Sequence, residues 1–285
     1  MLAPFAVLLA VVSLAALLGF GLFVALDGQV PLETLVSKTG KVLLVLSIWP
    51  LMRGLTLTWA DLGWRNGMCL RRQLLRGLGL GLITLLPVLV LLIALGVQVE
   101  DPDTQPEWSW WLSKTALTLL LAILISLAEE PVFRGVLLAA LRARMSVVTA
   151  IMVSAFYYAL LHFMKTDMIL PAEQVHWYSG WLLFQDALAH LSQPDIRMPF
   201  LALFAVGVFL GLVRVIWPGG LMLCIGCHAA WVWQIKLTKV FFDVDANAPY
   251  YFLVSAYDGV IGPLVFVWLS LASLGLAWHL LVSKT

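Results

Sequence analysis

The chain has 285 residues, 62% of them hydrophobic and 12% charged, with a net charge of +1 and a mean hydropathy of +0.98. Charged residues stand at about half their usual share of a soluble domain, which excludes an ordinary soluble protein. The near-neutral balance provides no global field to gather nucleic acid. Thirteen Trp and six Tyr suit the membrane–water interface, where both residues collect.

A spanning helix needs about 20 apolar residues. On that criterion the chain reads as an all-α, multi-pass transmembrane helical bundle of about eight spans, near 3–26, 40–60, 76–98, 112–139, 146–164, 198–216, 218–239 and 257–281. The opening run, MLAPFAVLLAVVSLAALLGFGLFVAL, lacks a basic n-region and is too long for a signal-peptide core, so it reads as a retained first span. Arg65, Arg71, Arg72 and Arg76 follow span two, Arg142 and Arg144 follow span four, and the acidic DPDTQPE follows span three. Basic loops stay cytoplasmic. This predicts both termini cytoplasmic, with Lys284 inside, in the bacterial inner (cell) membrane.

The long loop at about 165–197 falls on the outer side. Trp177, Trp181, Leu182, Leu188 and Leu191 share a helix face suited to lying in the interface; His176 and His190 read as interfacial. Cys69, Cys224 and Cys227 form no disulfide framework. Cys224-Ile-Gly-Cys227 lies in an apolar run without the context of a redox motif, and reads as small residues between close helices.

Ionisable groups inside a span are costly and by default suggest function. SLAEEPVFRGVLLAAL, residues 126–141, holds three. Glu130 and Arg134 are four apart, so their side chains meet on one helix face. Glu129 is turned about 100° away and cannot share the arginine as well. Pro131 lacks an N–H and clashes with the Leu127 carbonyl, which predicts a kink and a freed backbone acceptor. His162 in span five and His228 in span seven reach depths similar to Glu129 once tilt is allowed. A carboxylate and two imidazoles around buried water suit hydrolysis, with the carboxylate as general base and a donor stabilising the oxyanion. The same groups, Glu129, His162 and His228, are also a donor set for Zn²⁺, and the spacing leaves that choice open.

Glu129-Glu130-Pro-Val-Phe-Arg134 matches EExxxR, Tyr158-Ala-Leu-Leu-His162 resembles FxxxH, and His228 in GCHAAW resembles a third motif, HxxxN or HxxxH. In order, and on successive late spans, these resemble the CPBP family of CAAX-processing and bacteriocin-processing (Abi) intramembrane proteases. The resemblance covers residues 110–240, leaving 1–109 as spans one to three and 241–285 as the final span. It implies a hydrolase that cuts a peptide bond of a membrane-associated protein or peptide, with membrane lipid around it and no nucleic acid. It implies Glu129 as the base for water, Glu130 and Arg134 as support, and His162 and His228 in water positioning and transition-state stabilisation. Metal-dependent and metal-free glutamate mechanisms are both argued for such enzymes.

Two positions depart from the pattern. Tyr158 keeps the aromatic ring and adds a hydroxyl. Val232 stands where the family has Asn or His, and neither donates a hydrogen bond nor binds a metal, which leaves Tyr158, Gln234 or a water to serve the oxyanion. A non-enzymatic scaffold or immunity factor of the same fold is the alternative that Val232 favours. A transporter would need polar residues running to both faces, and spans three and eight offer almost none.

Overall fold

The computed structural model describes residues 2–64, 69–102, 107–217 and 219–282. Arg65, Pro218, Lys284 and the middle of DPDTQPE lie outside the described residues. Within them, six helices are long and apolar enough to cross a membrane and two shorter apolar ones accompany them, so the chain is a multi-pass helical membrane protein. The helices fall into two packing units, Met1–Thr56 with Leu160–Ile196, and Leu57–Ala159 with Arg197–Thr285.

The first unit holds α1 (Leu2–Ala25), α2 (Leu32–Leu46), α3 (Ile48–Gly54) and, from the long loop, a helix Ser179–His190. That helix buries Ser179, Gly180, Leu183 and Ala187, with Gly180 packed directly on Ala16 of α1. Trp177, Trp181, Leu182 and Leu188 are exposed. Of the apolar face foreseen for this segment, these four residues are exposed and Leu191 is partly buried. Span two begins and ends earlier than expected, because Thr56 takes a positive φ and Thr58 opens a new short helix.

That short helix, α4 (Trp59–Leu62), begins the second unit. Thr58 and Asp61 form a capping box, in which each side chain satisfies the other's backbone N–H. There follow α5 (Leu70–Ala94), β1 (Gln98–Glu100), α6 (Trp108–Glu130), a π-helical turn (Pro131–Leu137), α7 (Leu138–Arg142) and α8 (Val147–Phe163), whose last residues belong to the first unit. The loop helix Ser179–His190 is α9; α10 (Arg197–Ile216), α11 (Leu221–Phe241), β2 (Phe242–Val244) and α12 (Pro263–Val282) complete the chain.

Packing here uses small residues inside and large ones outside. On α6, Thr118, Ala122, Ser126 and Glu130 are buried at four-residue spacing, one stripe of a helix. Leu117, Leu120, Leu121, Leu124 and Leu127 are exposed, which suits lipid. Gly77 and Gly81 of α5 abut the α11 backbone at Leu223 and Cys227, and Gly226 of α11 abuts α5 at Leu74 and Leu78. Van der Waals contact at such close approach holds membrane helices together where water supplies no drive. Cys224 and Cys227 are buried and free, part of this seam.

β1 and β2 pair antiparallel, Gln98 opposite Val244. This small ribbon was not foreseen, since three residues carry no periodic signal. It ties the end of α5 to the end of α11. The last helix starts at Pro263 rather than 257, because residues 255–262 close on themselves. The Asp258 carboxylate accepts N–H bonds from Val260 (3.0 Å) and Ile261 (2.6 Å), Gly259 takes φ +77°, and the Ser255 hydroxyl donates to the Ile261 carbonyl. The Gln98 amide donates to the Gly259 carbonyl at 2.7 Å, pinning the loop to the ribbon.

Candidate active site

The α6 stripe of small and polar residues ends on Glu130. Its neighbour Pro131 brings no N–H to the helix ladder, and the chain answers with one π-helical turn rather than a break. Such turns are rare and recur at functional sites. The turn leaves the Phe133 carbonyl accepting from the buried Ser154 hydroxyl of α8 at 3.0 Å. Gly135 of the turn lies against Leu62 of α4, so the capped helix α4 braces it. Leu62 is wholly buried. On the far side of α4, Arg214 of α10 donates to the Asp61 carbonyl at 2.9 Å.

Glu130 is 0% and Arg134 1% exposed, and Arg134 Nη1 meets Glu130 Oε1 at 3.2 Å. The pairing read from the i, i+4 spacing is present. The same Oε1 lies 2.8 Å from His228 Nδ1, a contact across 98 residues that no spacing rule reaches. An ionised carboxylate only accepts, so the ring nitrogen facing it carries the hydrogen. Neutral His228 then keeps a lone pair on Nε2. Glu130 is thus a hub between the π-turn and α11, and the histidine is oriented by the second glutamate of the motif.

The Arg134 guanidinium lies 4.3 Å from the Tyr158 ring centroid. Tyr158 also stands edge-on to Phe133 (5.2 Å) and His228 (6.1 Å). The aromatic position of the second motif is therefore a wall of this cluster. Glu129, one residue before the hub, is only partly buried. Its charge bears on two phenols, those of Tyr158 and Tyr257. Tyr257 lies in the closed loop before α12. It had counted as the first residue of the last span. Burial first, then the charges of Asp258 and Glu129, push its phenol up to about 12.

His162 lies in the last turn of α8, in residues that group with the first unit. The structure thus gathers Glu129, Glu130, Arg134 and His228 in one unit and places His162 in the other. Val232, one turn after His228, is partly buried on α11. Gln234 directs its amide N–H groups to the carbonyls of Gly81 and Ala230, both at 3.1 Å, and so helps to join helices. Among the described residues no group of three or more His, Cys, Asp or Glu side chains is placed to hold a metal ion. Glu129 and His228 belong to one unit and His162 to the other, and no step below runs through a metal.

No curated protein and no solved structure matches the chain. Residues 110–234 match the family model described as Rce1-like: Type II CAAX prenyl endopeptidase Rce1-like. This is the CPBP/CAAX protease family to which Glu129–Arg134, Tyr158–His162 and His228 pointed, and across residues 110–234 the chain matches it.

Proposed function

We propose that the protein is an intramembrane endopeptidase that hydrolyses a peptide bond of a membrane-associated substrate, with Glu129 activating the water. The family match supports a CAAX-type endopeptidase. The observation that carries the division of labour is Glu130. Its Oε1 engages both Arg134 and His228, which supports a structural role for the second glutamate and leaves the role of base to the first. The Glu129 carboxylate takes a proton from water as the water oxygen bonds to the substrate carbonyl carbon, and the C=O π pair moves onto oxygen. When the tetrahedral species collapses, the C–N bond breaks and protonated Glu129 returns the proton to the leaving amine. His228, with Nδ1–H held by Glu130, offers Nε2 as an acceptor that orients the water. His162 stands at the family's second motif and has only the role that the resemblance implies for it.

The test is a quenched fluorescent farnesylated peptide ending in a CAAX box, offered to the full-length protein in proteoliposomes. Cleavage by wild type and its loss in Glu129→Gln, with an unchanged melting curve, is the expected result. Equal turnover in that variant removes Glu129 from the mechanism. Val232 favours the second reading, a non-enzymatic scaffold of the same fold. Terminal-peptide proteomics on source membranes decides between them: termini that do not differ between wild type and Glu129→Gln support the scaffold.

A further inference from the structure

The helix α9 ends on His190, which the reaction above does not use. Its Nδ1 lies 3.3 Å from the Asp167 carboxylate, with the His190 side chain 17% and the Asp167 side chain 78% exposed. Asp186 stands one turn earlier on the same face of α9. Asp186 Oδ2 accepts from the Thr166 hydroxyl at 2.7 Å and from the Asp167 N–H at 3.3 Å. Thr166 Oγ1 in turn accepts from the Met168 N–H at 3.1 Å. Residues 166–168 belong to the segment in which the chain leaves α8, and Thr166 is four positions after His162. These contacts fasten that segment to α9, and all of them lie within the first unit.

Two carboxylates thus meet beside one imidazole. The Thr166 hydroxyl foremost, with the Asp167 and Met168 N–H groups and the charge of His190, holds Asp186 below the usual carboxylate range. At its present geometry His190 Nδ1 makes no hydrogen bond to Asp167. A neutral ring therefore adds little here and offers the two neighbouring carboxylates no counter-charge. A protonated ring sets one cation against both. The other charged groups of the elements around it are few. The segment after α8 carries Lys165, the turn after α9 carries Asp195, α1 carries no ionisable side chain, and α2 carries Glu33, Lys38 and Lys41. Among these residue types histidine is the one that ordinarily changes charge between about pH 5 and 8. The loop's other histidine, His176, stacks on Tyr178 at 5.3 Å, before the far end of α9.

We propose that protonated His190 latches residues 166–168 onto α9 by pairing with Asp167 and Asp186, and that loss of its proton loosens them. A cation that gains partners in the closed form contributes at acid pH, and the contribution disappears as pH rises. The latch is therefore tight toward about pH 5 and loose toward about pH 8. The Thr166–Asp186 bond persists across that range, so the segment loosens without leaving the helix. The inference stands apart from the hydrolytic reading and needs no substrate.

The experiment is amide hydrogen exchange, resolved to single residues, on the full-length protein in nanodiscs at about pH 5.5 and about pH 8, with each rate divided by the intrinsic rate at that pH. The Asp167 and Met168 amides are the reporters, since both donate within the latch. The expected result in wild type is protection about threefold lower at the higher pH, the scale of an ion pair with one exposed partner. The fall should vanish in His190→Gln and remain in His176→Gln. Equal protection at the two pH values in wild type, an undiminished fall in His190→Gln, or its loss in His176→Gln overturns the inference. A second measurement needs no variant. At about 1 M salt the screening length is about 3 Å, and the pH dependence should leave wild type; a dependence indifferent to salt denies that an ion pair makes it.

Discussion

Arg134→Met tests the hub. At 3.2 Å and an effective dielectric of about 20, the Arg134–Glu130 attraction is about 5 kcal/mol. Much of that offsets the desolvation of two groups that are 1% and 0% exposed. The net worth of such a pair is therefore small, yet removing one partner strands the other and costs about 3–5 kcal/mol. His228 still donates to Glu130 Oε1, which puts the expected loss near about 3 kcal/mol. Replacing both partners, Glu130→Gln with Arg134→Met, removes the stranded charge and should lose less than about 1.5 kcal/mol. The assay is reversible unfolding in mixed micelles, with free energies from linear extrapolation. The double variant must be more stable than Arg134→Met alone; losses that simply add would refute the hub, because contacting groups couple and independent ones do not. Peptide cleavage should be lost in both variants, since stability returns without the ionised acceptor that fixes His228.

Three further outcomes are expected. Ser154→Ala leaves the Phe133 carbonyl of the π-turn without its donor and should cost about 1–3 kcal/mol, measured in the same unfolding assay. Gly226→Ala drives a methyl into the Leu74 carbonyl oxygen and to within 2.9 Å of the Leu78 nitrogen, backbone that cannot turn aside, and should cost about 1–3 kcal/mol; Gly79→Ala, which meets nothing within 4 Å, should be neutral or slightly stabilising. Asp61 is held below the usual carboxylate range, first by the Thr58 hydroxyl and then by the Thr58 N–H. Its contribution is present above the unfolded value of about 3.9 and disappears as pH falls through the lowered folded value. Thr58→Ala should flatten the acid limb of the stability profile below about pH 4, a small effect because Asp61 is exposed and screened.

What the sequence made legible divides by distance along the chain. Hydropathy located the spans, because a membrane helix is a continuous apolar run. Helical geometry also paired Glu130 with Arg134 and turned Glu129 aside, since both relations lie within two turns. The Pro131 kink was legible in kind, though not as a π-turn: proline announces a missing N–H, whereas Ser154, 21 residues past Phe133, answers for the Phe133 carbonyl of that turn. Span ends were misplaced where side chains, not hydropathy, stop the helix. Thr58 and Asp61 start a new one early, and Asp258 caps a loop inside an apolar stretch.

The contacts that arrange the site run across much greater separations. His228 reaches Glu130 over 98 residues and Gln98 reaches Gly259 over 161. Tyr257 sits in VSAYDGVIG, where an apolar count sees only the start of a span. The arrangement follows instead from how three elements end: α5 and α11 run into paired strands, and the ribbon catches the loop before α12 through Gln98. Each ending has a local physical cause, in a turn, a cap or a glycine with positive φ, and the arrangement exists only in their combination. The legible carboxylates lie within a span, while the ribbon and the capped loop lie on the connections that a reading by spans treats as edges.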